Sequence, residues 1–408
     1  MGPPHPTSDD EPSAGEARAS GAISGTGRLL TISHPAVVGV NQEVYRELGR
    51  RGWDVTIVVP ARWRSEYSGA ALSPQALPGL ETSLRPTRVA LAGRPQRHFY
   101  LANVRSLCTQ LRPDVAFIEA EPFSLAARQW AGTLAALEIP FGVQCAENID
   151  RTLPLPVRRF RARVLRDAAF VAARSGSAAR LVRTWGAKGE VRLAPHAVPA
   201  WSNLPPHPNG PFTVGYAGRL VASKGLDDLL AAVRQLEAPV ELLLIGDGAL
   251  RERLEGQPVP GSRVRVLSSL NHDEMPSGYR QLDVLVLPSH TTPTWKEQFG
   301  RVLVEALWCG VPVVGSDSGE IPWLIELTGG GLTFAEGDAE MLATRLRTLR
   351  SSPSLREQLA QTGKAAAERL FSVPAATDPL EAMLAGAAAS GQAGRLPAFP
   401  GSSGGRQK

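Results

Sequence analysis

The sequence predicts an α/β protein built from two doubly wound domains that face each other across a cleft. Three observations carry this expectation. From residue 27 onward, short runs rich in Val, Ile and Leu alternate with longer amphipathic segments, the pattern of parallel sheets covered on both faces. The alternation runs through twice, and the stretch WSNLPPHPNGP at residues 201–211 separates the halves. A length of 408 residues exceeds one ordinary core and suits two.

The elements follow in order. Residues 1–26 lack a basic start and an apolar segment, so they read as a disordered leader and not as a secretory signal. The first domain, 27–200, offers the strands RLLTIS, DVTIVV, DVAFIE, PFGVQC, AAFVAA and EVRLA, with a helix-like NQEVYRELGRRG after the first. Beyond the linker at 201–211, the second domain, 212–372, offers PFTVGYAG, VELLLIG, RVRVLS, DVLVLP and VPVVGS. Between and after these lie KGLDDLLAAVRQL, GALRERLEG and DAEMLATRLRTLRSS, each with helical spacing. Residues 373–408 read as a terminal helix and a Gly/Ser/Ala-rich disordered tail. Ligands of doubly wound domains bind beyond the carboxyl ends of the strands, which places the expected site in the cleft.

Composition narrows the partners. The 44 basic and 39 acidic residues leave a formal charge of +5, which favours anionic ligands without choosing among nucleotides, membrane surface and nucleic acid. The arginines are scattered and no basic motif interleaved with aromatics occurs, which argues against a nucleic-acid partner. No stretch reaches the roughly 18–20 uncharged apolar residues of a membrane span. Cys108, Cys145 and Cys309 are far apart in apolar surroundings, as expected of buried thiols in a reducing cytoplasm.

The loops at the strand ends carry the chemistry. In GYAGRLVASKGLDDLL, Arg219 and Lys224 bracket a turn that opens a helix near Gly225. Cations beside free helix N–H groups make a phosphate site, and the plainer alternative is a pair of surface charges. In LLLIGDGALRERL, Gly246 and Gly248 match the start of a dinucleotide fingerprint, but Arg251 stands where a third glycine is needed. These glycines serve either close approach of a ligand or a tight strand-to-helix turn.

The stretch KEQFGRVLVEALWCG holds Glu297 in a loop and Glu305 on an apolar helix ended by Gly310. A helix beginning near Phe299 would separate the carboxylates by roughly 10 Å, at about 1.5 Å per residue. A retaining glycosidase needs about 5 Å, an inverting one somewhat less than 10 Å. No Asp-x-Asp, His-Glu-x-x-His or cysteine pair supports a metal. What remains is a pair of hydroxyl acceptors at two depths along one ligand, with phosphate groups nearby, which is the layout of a nucleotide sugar. The alternative is a helix cap plus a solvated face residue.

In the order GRLVASKG, LLLIGDGALRERLE, DVLVLPS, KEQFGRVLVEALWCGVPVVGSDSGEIPWLI and GGLTFAEGDAEMLATRLRTLRSSPSLREQLA, the second half resembles the family 4 retaining glycosyltransferases, which have the GT-B fold of two Rossmann-like domains. The fuller PSHTTPTWKEQFGRVLVEAL is similar to a subgroup found in polysaccharide assembly. The resemblance implies that Arg219 and Lys224 grip the donor diphosphate and Glu305 the ribose. It implies that Glu297 holds the transferred sugar and that the amides of Phe299, Gly300 and Arg301 approach sugar and phosphates. It further implies a nucleotide-diphosphate sugar as co-substrate, no metal or other cofactor, and a glycan or lipid-linked acceptor.

The first half resembles the family more loosely. In TISHPAVVGVNQEVYRELGRRGWDVTIVVP the usual paired glycines shrink to Gly39, and His34 at the first strand's end is either a cleft residue or a packed histidine. Many members carry a cleft histidine after the fourth strand. Here FGVQCAENIDRTLPLP offers Gln144, Glu147 and Asn148 instead, with Asn148 the candidate replacement. His196 reads as a linker residue. The segment LPVRRFRARVLRDAA sets Val157, Phe160, Val164 and Leu165 among Arg158, Arg159, Arg161, Arg163 and Arg166. Such a basic amphipathic stretch is either a solvated helix packed by one edge or a contact with anionic lipid at the inner membrane face. The expectation is a hexosyl transferase. A nucleotide-sugar epimerase on the same fold, or a scaffold that binds sugar nucleotide without turnover, stand as alternatives; a pyridoxal phosphorylase lacks a candidate lysine.

Overall fold

The computed structural model describes residues 27–393 apart from 66–68, 199–200, 202–203, 206, 209, 238 and 257–261. The leader at 1–26, the tail beyond 393 and part of the linker lie outside the described residues.

Two parallel sheets form the molecule. The first comprises β1 (Arg28–Ser33), β2 (Asp54–Pro60), β3 (Leu84–Thr87), β4 (Val115–Glu119), β5 (Phe141–Cys145), β6 (Phe170–Ala173) and β7 (Glu190–Leu193). Their order across the sheet is β7-β6-β5-β4-β1-β2-β3. The second comprises β8 (Phe212–Ala217), β9 (Val240–Ile245), β10 (Ser262–Leu267), β11 (Val284–Leu287), β12 (Val313–Ser316) and β13 (Gly331–Phe334), in the order β10-β9-β8-β11-β12-β13. Every strand pair in both sheets is parallel. In each sheet the order reverses beside the first strand, which creates the crevice where ligands of open α/β sheets bind.

All eleven strands read from the sequence are present. The edge strands β3 (LRPT) and β13 (GLTF) were not anticipated, because each is short and only its first or last residue is buried. Two small antiparallel ribbons, Trp63–Arg64 with Ala71–Leu72 and Val89–Ala90 with Phe99–Tyr100, were also missed. The interior strands β4, β5 and β12 are buried at every position, which is why their sequences run apolar without alternation. Burying each such Val, Leu, Ile or Phe contributes roughly 1.5–3 kcal/mol.

Six helices position the site: α1 (Glu43–Arg50), α2 (Leu155–Asp167), α3 (Leu226–Arg234), α4 (Arg301–Trp308), α5 (Pro353–Phe371) and α6 (Val373–Ala393). Of α2, Val164 and Leu165 are buried, and Val157 and Phe160 pack against the first core. The Arg161 guanidinium lies 4.1 Å from the Trp185 ring centre, while Arg158, Arg159, Arg163 and Arg166 are exposed. Helix α2 is therefore packed by its apolar edge.

The terminal helix α6 crosses back to the first domain. Its Leu380, Met383 and Leu384 join the core around Tyr45, Leu48 and Val55. Glu381 accepts from Arg51 Nη1 at 2.7 Å and from Trp53 Nε1 at 3.2 Å. Apolar spacing made α6 a helix; only the tertiary structure shows that it packs with the first domain after a second-domain helix.

Candidate functional site

Between the sheets lies a cavity of about 970 Å³ lined by both domains. From the second domain, Gly218, Arg219, Lys224, Trp295, Glu297 and Gly300–Val302 face it. These residues follow β8 and β11, the two strands flanking that sheet's reversal point.

Local geometry explains the convergence. At the end of β8, Tyr216 Oη donates to the Arg219 carbonyl at 2.7 Å, holding the turn beneath the guanidinium. A single 3-10 turn, Ala222–Lys224, then delivers Lys224 before α3 begins. Lys224 is only 9% exposed. Its Nζ donates to Glu297 Oε2 at 2.6 Å and lies 4.5 Å from the Trp295 ring centre. Ser289 Oγ donates to the same Glu297 oxygen at 3.0 Å. The sequence placed Lys224 on the phosphates and Glu297 on the sugar; the structure pairs them directly across one wall.

Gly246 and Gly248 belong to the protein's own packing. A Cβ on Gly246 would lie 1.9 Å from the Gly218 carbonyl oxygen, and one on Gly248 would lie 2.4 Å from that of Leu220. They let the β9 loop press against the Arg219 turn, so the tight-turn reading of these glycines holds.

Glu305 sits on α4 and is not among the residues facing the cavity. It is buried, and its carboxylate accepts from Tyr279 Oη at 2.7 Å and Arg301 Nε at 2.9 Å. Arg301 does face the cavity, so the wall presents Arg301 with Glu305 behind it. The Phe299 side chain is core, against His196 and Phe371 at ring separations of 5.5 and 5.6 Å. Gly300, in the left-handed region at φ 75°, opens α4.

The first domain supplies His34, Arg94, Arg97, Glu121, Gln144 and Glu147 to the opposite wall. His34 packs against Trp63 and His98 at ring separations of 5.1 and 5.2 Å. Burial, helped by His98, lowers its pKa to about 3. It is thus both a packed histidine and a cavity residue. Gly39 is not a lining residue; it packs beside Leu77. Asn148 is buried and off the lining, and its Nδ2 donates at 2.8 Å to the backbone carbonyl of Glu297 in the other domain.

Sequence reasoning missed Arg94 and Arg97 on the opposite wall, and it missed or misread two further groups. His196, read as linker, faces the cavity; burial and the nearby Arg174 and Arg301 hold its imidazole well below its usual pKa. Glu121, just past β4, also lines the cavity, and burial raises its pKa to about 7. Its Oε1 accepts from the Ala146 N–H at 2.8 Å, and its Oε2 is buried without a hydrogen-bond partner. Its place two residues past a buried strand end was the available signal. All three cysteines are unpaired and buried. Among the described residues, no three His, Cys, Asp or Glu side chains cluster to hold a metal ion.

With this geometry established, two family models match. Residues 38–220 match the glycosyl transferase 4-like domain and residues 199–366 the glycosyl transferases group 1 domain. The chain belongs to the family 4 glycosyltransferases. Relatives of the chain include the sulfoquinovosyl transferase SQD2 of Arabidopsis thaliana, 35% identical over 164 residues, or 40% of this chain and 30% of that one. The capsular polysaccharide biosynthesis glycosyltransferase CapM of Staphylococcus aureus is 28% identical over 181 residues, 43% of this chain and 46% of that one. The chain thus matches about a third to a half of the length of these curated relatives. Among solved structures, sucrose-phosphate synthase from Thermosynechococcus elongatus superposes with a TM-score of 0.67 at 18% identity, covering 89% of this chain and 99% of that one. Anabaena Alr3699/HepE in complex with UDP gives 0.65 at 18% identity, covering 88% and 99%. These superpositions establish the GT-B fold.

Proposed function

We propose that this protein is a retaining transferase that moves a hexosyl group from a nucleoside diphosphate sugar to a glycan or lipid-linked acceptor, in cell-surface polysaccharide or glycolipid synthesis. One observation carries the reading: Lys224 and Glu297 meet at 2.6 Å on the same cavity wall as Arg219, at the reversal point of the second sheet. A diphosphate entering this wall takes the ammonium of Lys224 and frees the Glu297 carboxylate for sugar hydroxyls. Arg219 and Lys224 then neutralise charge on the departing diphosphate. In the transfer, the bond from the anomeric carbon to the phosphate oxygen breaks as one to the acceptor oxygen forms on the same face. The acceptor proton passes to the diphosphate. Arg301, backed by Glu305 at 2.9 Å, is the group through which Glu305 would reach the ribose hydroxyls.

The names of relatives support the donor class. Alr3699/HepE was solved with UDP and with UDP-glucose, and CapM is named for capsular polysaccharide biosynthesis. On the opposite wall, exposed Arg94 and Arg97 complement an acceptor that bears negative charge. No helix among the described residues is long and apolar enough to cross a membrane. The exposed arginines of α2 would let a cytoplasmic enzyme rest on an anionic inner membrane face.

A thermal-shift screen against UDP, GDP, ADP, TDP and their common sugars, with EDTA present, tests the reading. A rise in melting temperature for one nucleotide, lost in Arg219→Ala, is expected. A wild-type protein that responds to none of them would overturn the donor class, and one that responds but transfers no sugar in a turnover assay would favour a scaffold that binds without turnover. The observation favouring that second reading is that Asn148, the candidate replacement for a cleft histidine, spends its amide on Glu297 and does not face the cavity.

A further inference from the structure

We propose that Asn148 is a cross-cleft latch that positions Glu297, so that the sugar-side carboxylate is fully held only while the two domains are closed. The inference rests on reading Glu297 as the sugar-binding residue, but the latch itself is a matter of geometry.

The loop after β5 is built to present one amide. Glu147, 2% exposed, accepts from the backbone N–H groups of Asn148 and Ile149, both at 3.1 Å, and from Arg151 Nε at 2.7 Å. This carboxylate folds the loop around itself and leaves the Asn148 side chain pointing across the cleft. There its Nδ2 reaches the Glu297 carbonyl at 2.8 Å, over 149 positions of sequence. The amide orientation is dictated by the partner, because a flipped group would set oxygen against oxygen. Asn148 Oδ1 is buried without a hydrogen-bond partner, a cost that an apolar residue packed there would avoid.

A carbonyl oxygen has two lone pairs, and at Glu297 each domain uses one. The second-domain donor is the Glu320 N–H at 3.0 Å, brought close by Gly319. The Glu297 carboxylate is held by Lys224 and Ser289, also from the second domain. Asn148 is therefore the contribution of the first domain. Four residues on, Arg301 Nη1 donates to Asn41 Oδ1 of the first domain at 3.4 Å. Both cross-cleft bonds land on the segment 297–301, which joins the sugar side of the site to the start of α4. Domains joined this way move relative to each other by default. Opening would remove the Asn148 bond and loosen the backbone carrying Glu297, which ties sugar alignment to closure.

The test uses the full chain with Asn148→Asp, which keeps the size but replaces the donor by an acceptor, and Asn148→Leu, which keeps the packing. Hydrogen–deuterium exchange of the ligand-free proteins is followed over a peptide containing 297–301, with α3 as the internal control. Faster exchange across the cleft in both variants, with α3 unchanged, is expected. Unchanged exchange in 297–301 overturns the latch. In a second arm, UDP affinity and UDP-glucose consumption are measured. Turnover should fall roughly five- to tenfold, the equivalent of one hydrogen bond, with UDP affinity within about twofold. Asn148→Asp should be the slower variant near pH 8, and its deficit relative to Asn148→Leu should shrink near pH 5, because burial against the Glu297 carbonyl raises the new carboxyl above its ordinary value of about 3.9 and lets it regain a proton to donate. Equal loss of turnover and UDP affinity, with no such pH signature, would mark a merely structural residue and overturn the proposal. If 297–301 responds but the wild type consumes no UDP-glucose and binds no UDP, the latch stands and the donor reading fails. If the wild type turns over and 297–301 does not respond, the latch alone fails.

Discussion

Replacing Lys224 by alanine is the sharpest perturbation of the wall. In the ligand-free protein, Nζ lies 2.6 Å from Glu297 Oε2, with side-chain exposures of 11% and 12%. Removing the ammonium leaves the carboxylate with Ser289 Oγ at 3.0 Å as its remaining side-chain hydrogen bond. Breaking a fully buried pair costs about 3–5 kcal/mol, and the adjoining cavity admits water, so about 2 kcal/mol is appropriate here. Loss of the contact with Trp295 at 4.5 Å adds about 0.5–1 kcal/mol. The total, about 3 kcal/mol, corresponds to a fall in Tm of roughly 6–10 °C. The double variant Lys224→Ala with Glu297→Gln should recover about 2 kcal/mol, because a neutral amide no longer needs the cation. Thermal unfolding of wild type, both single variants and the double variant closes the cycle. UDP is then added to each protein; the stabilisation of wild type should be lost wherever Lys224 is absent. Strict additivity in the cycle would refute the direct pairing, and retained UDP stabilisation in Lys224→Ala would refute the phosphate role.

The remaining predictions are these. Gly319→Ala should cost about 3 kcal/mol: about 1–2 for a left-handed alanine and the rest for displaced hydrogen bonds. Its φ is 59° and its Cβ would lie 2.0 Å from the Glu297 carbonyl oxygen, so turnover should fall with stability; an unperturbed Tm in a thermal melt contradicts this. Glu305→Gln should weaken UDP binding roughly tenfold by removing the charge partner of Arg301 and Tyr279, while Glu297→Gln spares UDP binding and lowers turnover. Calorimetric titration with UDP decides, and equal losses of affinity would refute that division. Glu121 has a folded pKa of about 7 against an ordinary 4.5, so the folded state binds the extra proton between those values. Its contribution is complete below about 4.5 and is lost as pH rises through about 7, which predicts that Glu121→Gln gains roughly 3 kcal/mol relative to wild type across that window. His34 has the opposite sign: with its pKa lowered from 6.5 to about 3, its contribution is present above 6.5 and is lost on acidification, an effect that His34→Asn should remove. Urea unfolding as a function of pH reads both.

Much of the fold was legible because its determinants are local. Apolar runs such as VAFIE and VVGS are buried at every position, and that alone marks parallel interior strands. The Gly218–Lys224 turn and the 297–301 loop were visible because strand ends, glycines and charges sit close together in the chain. Edge strands such as LRPT escaped because pairing with one neighbour demands little of the side chains.

What the tertiary structure decided was every relation between the halves and every partner of a buried polar group. The Asn148 amide and the Glu297 carbonyl are 149 residues apart, and no periodicity reports such a pair. Glu305 lies behind Arg301 because Tyr279, 26 residues earlier, takes its other oxygen. The terminal helix joins the first core through Glu381 and Arg51, 330 positions apart. Composition and spacing determine which segments become strands, turns and helices, because those choices depend on φ/ψ preferences and burial along one element. Which carboxylate meets which cation depends on how two finished sheets face each other, and that is settled only when their surfaces pack.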